Sequence, residues 1–116
     1  MSRDVVALVP VMPDVPDLLA GMLAAGADLG VRPVEAGPVV QLCDDAGRPL
    51  VAIELPVLVK VAGEVERLLG PELAGRLPSP VWWLEARAPT ARAGAAELAR
   101  RFAETVAERL GGVVWP

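Results

Sequence analysis

VVQLCDDAGRPLVAIEL, residues 39–55, is two runs rich in Val and Leu separated by Asp44-Asp45-Ala46-Gly47-Arg48-Pro49. Aspartates bond their own backbone a residue or two on, glycine takes left-handed backbone, and proline stops regular pairing, so this segment turns the chain back. The flanking runs, Val39–Cys43 and Leu50–Leu55, then read as the arms of a β-hairpin. A hairpin builds antiparallel sheet, and that sets the fold class. The second arm is expected to run past Pro56 as Val57–Val61.

Upstream, Asp4–Met12 is a short Val-rich run that reads as a buried strand, with Pro10 and Pro13 confining its paired part to the first half. Asp14-Val15-Pro16-Asp17 is a helix start: Asp14 caps, Pro16 has its φ preset, and Asp17 suits the positive end of the helix dipole. Leu18, Leu19, Met22, Leu23 and Leu29 fall on one helical face, and Gly30 is expected to end the helix. Gly21 and Gly26 each cost about 1 kcal/mol against Ala. Close backbone packing is the reason expected for tolerating them. Val31–Ala36 is a short extended segment.

Downstream, Gly63–Leu77 has Val65, Leu68, Leu69, Leu73 and Leu77 at helical spacing, and Gly70-Pro71 divides it into two pieces. Val81–Ala88 (VWWLEARA) is a strand that turns Trp82, Leu84, Ala86 and Ala88 to one side and Trp83, Glu85 and Arg87 to the other. Ala91–Leu110 is the last helix, with Ala95, Leu98, Ala99, Phe102, Val106 and Leu110 as its buried stripe. Gly111-Gly112 stops it, and Val113–Trp115 adds a final strand. Residues 1–116 thus read as a single α+β domain. The expected architecture is a mostly antiparallel sheet with helices packed on one face, a ferredoxin-like variant with an extra C-terminal helix and short strand.

Composition narrows the chemistry. The chain has 116 residues, no His, no Tyr and one Cys, and a net charge of −4. A hydrophobic content of 53% is far from that of a disordered chain. Without imidazole, Ser-His-Asp and Cys-His catalysis and the usual zinc sites lack their ligands or bases. No basic patch offers itself to nucleic acid: Arg100-Arg101 is flanked by Glu97 and Glu104. The longest charge-free stretches, Val5–Pro13 and Leu18–Ala27, fall short of the ~20 residues that span a bilayer, so no membrane insertion is expected. The N-terminus lacks a signal-peptide pattern, and a cytoplasmic location is the expectation. No cofactor is implied.

Several stretches occur together: DVVALVPVMPDVPDLLAG (4–21), DLGV (28–31), VVQLCDDAGRPLVAIE (39–54), GEVERLLG (63–70), VWWLEARA (81–88) and LGGVVWP (110–116). In these the chain resembles an uncharacterised family of streptomycete and related actinobacterial proteins associated with type VII (ESX-like) secretion gene neighbourhoods. The resemblance implies an accessory protein that contacts other proteins. It brings no catalytic motif and assigns no functional residue.

Asp44-Asp45 is a carboxylate pair, but turns use such residues for their own hydrogen bonds. Cys43 lies beside two carboxylates that disfavour a thiolate, so it reads as a small packed hydrophobe. Lys60, the one lysine, reads as a snorkelling surface side chain. Trp115 reads as packing across its own sheet. The most informative set is Trp83, Glu85 and Arg87, with Glu54 of the hairpin beside them. An aromatic ring next to mixed charges has the composition of an interaction hot spot, unless the last helix or the C-terminal strand covers it. The sequence is therefore expected to encode a non-enzymatic protein-interaction or accessory domain. Its interface residues would be Trp83, Glu85, Arg87 and Glu54, binding a protein partner or self-associating. The alternative is a small-ligand-binding or sensory domain, lined by Trp82, Leu84, Met22 and Phe102, with Arg87 or Arg32 orienting an anion.

Overall fold

The computed structural model describes residues 2–34, 39–60, 63–74 and 80–116. Strands β1 (Ser2–Val9), β2 (Gly30–Val34), β3 (Val39–Cys43), β4 (Pro49–Val59), β5 (Val81–Pro89) and β6 (Val113–Trp115) form one sheet in the order β2-β3-β4-β5-β1-β6. Every neighbouring pair is antiparallel. The helices are α1 (Val15–Ala25), α2 (Glu64–Leu69), α3 (Pro71–Ala74) and α4 (Ala95–Leu110). The α+β class holds. Its topology is a meander of β2 to β5 with β1 inserted between β5 and β6, and the ferredoxin-like detail is not confirmed. None of the helices is long and apolar enough to cross a membrane among the described residues.

The hairpin forms where its turn chemistry puts it. Asp44 Oδ1 accepts from the backbone N–H groups of Ala46 (3.0 Å) and Arg48 (2.9 Å), and Gly47 takes φ +78°. Asp44 Oδ2 accepts from Arg48 Nε (2.9 Å) and from Arg92 (3.0 Å), which ties the turn to the segment after β5. β4 continues through Pro56 to Val59 by a register shift between Glu54 and Val57, a bulge that absorbs a residue unable to donate to the ladder.

Asp14 caps α1 through a reciprocal box: Asp17 N–H donates to Asp14 Oδ1 (3.1 Å) and Asp14 N–H donates to Asp17 Oδ2 (3.0 Å). The helix ends at Ala25, with Gly26 at its C-cap, and Gly30 opens β2 instead of closing the helix. α4 starts at Ala95, four residues later than its apolar pattern suggests, because Gly94 at φ +81° turns the chain into it.

α1 and α4 lie on one side of the sheet and share a core with Val5, Ala7, Leu42, Ile53, Leu84 and Phe102. They run antiparallel: Arg109 Nε near the end of α4 donates to Asp17 Oδ1 near the start of α1 (3.1 Å), and Phe102 lies over Gly21 midway. A second, smaller cluster occupies the opposite side, where Val65 and Leu69 of α2 pack with Val6, Leu8 and Val81. The helices are thus divided between both sides, which corrects the one-sided expectation. Ala36, Val61 and Leu77, the expected ends of three elements, lie outside the described residues.

Candidate functional site

The side of the sheet opposite α1 and α4 carries the four residues singled out from sequence. Strand alternation places Trp82 and Leu84 toward the main core and Trp83, Glu85 and Arg87 away from it. Register then brings Glu54 of β4 directly opposite Glu85 of β5. Two carboxylates so placed repel. Arg87 offsets this: its guanidinium is 2.6 Å from Glu85 Oε2, 3.6 Å from Glu54 Oε1 and 3.1 Å from Asp4 Oδ1. The Arg87 group is held above its ordinary pKa, first by the hydrogen bond to Glu85 and then by Asp4. Asp4 belongs to this cluster and was not foreseen, since only the β1–β5 register sets it opposite Arg87.

Trp83 closes the row. Its indole N–H donates to Glu85 Oε1 at 3.2 Å, which fixes the ring and the carboxylate together. The ring is half-buried. It packs in the second cluster with Val113 and Trp115 of β6 and with Val65 and Leu69 of α2. It lies on the side of the sheet away from α4, against Leu8 of β1, its register partner. Val57, opposite Trp83 on β4, is 59% exposed and continues the apolar surface outward. The result is a patch with an apolar end at Trp83 and Val57 and a charged end at Glu85, Arg87, Glu54 and Asp4.

The remaining candidates take structural positions. Cys43 is buried beside the hairpin turn. Asp44 is consumed by the turn and held below the usual carboxylate range, chiefly by the Arg48 backbone N–H. Asp45 and Lys60 are exposed. Trp115 joins the cluster across its own sheet, with β6 paired to β1. Leu84 and Phe102, named as lining for a ligand pocket, are fully buried core residues, with Met22 and Trp82 packed against them. No group of three or more Cys, Asp or Glu side chains able to hold a metal ion occurs among the described residues.

A scan against protein-family models gave no match, and searches of curated proteins and of solved structures found none either.

Proposed function

We propose that this chain is a non-enzymatic protein-interaction domain that docks a protein partner on the sheet face formed by Trp83, Glu85, Arg87 and Glu54. The observation that carries the reading is the union of these residues in one patch: a half-buried tryptophan, its indole N–H anchored by Glu85, lies beside exposed Val57 and next to a charged row. Rigid aromatic anchors rimmed by polar groups are the usual energetic centres of protein interfaces. The mixed charges suit a partner surface that presents both signs. The accessory role in type VII secretion rests on the resemblance of the quoted stretches.

Because Trp83 also packs against the buried cluster of Val6, Leu8 and Val81, its truncation would disturb folding as well as binding. Val57→Asp and Val57→Arg are the cleaner probes, since that side chain is exposed, whereas Arg87 holds Glu85, Glu54 and Asp4 together. Affinity capture from the native cell should recover a protein partner with the parent chain and lose it with either variant, while thermal melts stay cooperative. Unchanged capture by both well-folded variants would refute the reading.

A further inference from the structure

The helix α1 is apolar on more sides than the fold covers. Successive helical residues lie about 100° apart, so α1 presents three distinct flanks. Asp17 and Gly21 face α4, through the Arg109 ion pair and the Phe102 contact. Leu18, Met22 and Ala25 enter the main core. Val15, Leu19 and Leu23, at four-residue spacing, form a third row that is 67%, 49% and 64% exposed. That row points away from α4. Met12, just before the helix, is 60% exposed, and Val31 on the edge strand β2 is 55% exposed. Val31 is in register with Leu42 and Val51, both in the main core, so it lies on the helix-bearing side of the sheet. A helix apolar all round is normally a buried one.

We propose that a second copy of this chain covers this flank, with α1 packed antiparallel against its symmetry mate about a two-fold axis near Leu19. Three features favour a copy of the same chain. A row of residues four apart is a packing ridge, and two identical ridges interlock at a crossing angle near 50°, the commonest helix–helix class. The row carries no charge that would call for a complementary partner, since the one charge inside α1, Asp17, is turned inward and paired with Arg109. At such a crossing the helix ends diverge, which keeps Asp14 and Asp28 of the two copies apart. Area sets the scale: side chains this exposed leave on the order of 500 Å² of apolar surface per copy, within the ~300–600 Å² of a monomer's largest and often functional patch. Two copies closing on it bury about 1,000 Å², the size from which specific interfaces begin. The two-fold makes the contact isologous, so it closes at two copies.

The surface is separate from the Trp83 face, and the test separates them too. Sedimentation of the parent chain should show a concentration-dependent dimer. Leu19→Arg should weaken it by about 30-fold or more, as loss of a central hot spot does, while Val57→Asp leaves it intact. Leu19→Cys should cross-link to itself on oxidation, because Leu19 sits at the axis and native Cys43 is buried. Val15→Cys should cross-link to Leu23→Cys in a mixture and not to itself. A parent chain that stays monomeric at every concentration overturns the proposal and leaves the flank to another kind of partner. A dimer that survives Leu19→Arg, or one abolished by Val57→Asp alone, overturns it as well.

Discussion

Asp17 joins two structural tasks in one side chain. It accepts the Asp14 N–H, which completes the capping box, and receives Arg109 from the far end of α4. These bonds favour the ionised carboxylate, so its pKa lies below the ordinary aspartate value, with the Asp14 backbone bond as the largest cause. Asp44, held by the Arg48 backbone N–H, and Glu64, held by Arg67, are shifted the same way. For such a group the unfolded state binds protons more readily than the folded one. The stabilisation is complete above the unfolded value of ~3.9 for aspartate and is lost as pH falls through the lower folded value. The melting temperature should therefore hold steady near neutrality and fall progressively below about pH 4. Asp17→Asn should lower stability at pH 7 and flatten the acid fall. Melts of the two chains across this range check it, and parallel curves would show that Asp17 contributes no proton linkage.

At the scale of elements, the contact between α1 and α4 is set by what Gly21 lacks. A Cβ built there would lie 2.7 Å from Phe102 Cδ2 and 2.9 Å from Val106 Cγ2. Both side chains are fully buried and have nowhere to withdraw. Alanine would gain about 1 kcal/mol of helix propensity, while overpacking a filled core costs typically ~1–3 kcal/mol. Gly21→Ala is therefore expected to destabilise the fold by about 1 kcal/mol net, read as a lower urea midpoint. An unchanged or raised midpoint would mean that the helices do not meet closely there. The same helix shows where sequence reasoning reaches its limit. The hairpin turn, the Asp14 cap and the break at Pro71 were legible because each depends on chemistry within a few residues. The stripe of α4 was legible because polar residues mark its outer side, and Ala95, Ala99, Phe102 and Val106 are indeed buried. In α1 the apolar residues run all round, so periodicity accepts 15-19-23 as readily as 18-22-25, and Leu19 and Leu23, expected on one face with Leu18 and Met22, lie on the exposed side instead. The opposed facing of Trp82 and Trp83 followed from strand alternation alone. What Trp83 packs against did not, since it depends on the β1–β5 register that sets Leu8 opposite it.

Across the whole molecule, the sheet separates two clusters of unequal strength. The larger is roofed by α4, sixteen residues long, and by α1 with its capping box. The smaller is held by α2, six residues with no side-chain cap, and by β6, three residues long and paired to one neighbour. So short a helix has little stability of its own and depends on the packing of Val65 and Leu69. β6 has one further constraint: a Cβ on Gly112 would fall 2.2 Å from the Leu8 carbonyl oxygen, so only glycine lets the chain enter the strand so close to β1. Elements with few buried contacts open locally at lower free energy than the core, and binding surfaces are drawn from that end of the scale. Trp83 packs on the same small cluster as these two elements. Native-state hydrogen exchange should then show α2 and β6 opening together, ahead of global unfolding. The amides of Val113–Trp115 and of the last turn of α2 should exchange faster than those of β5 and α4 by two or more orders of magnitude, corresponding to about 3 kcal/mol or more in opening free energy. β5, paired on both sides by β4 and β1, should be among the last to exchange. Destabilising the whole chain with low urea should narrow that gap, because only the global route depends strongly on denaturant. Uniform protection across all four elements would instead make the two clusters one cooperative unit, and the Trp83 face as rigid as the core behind it.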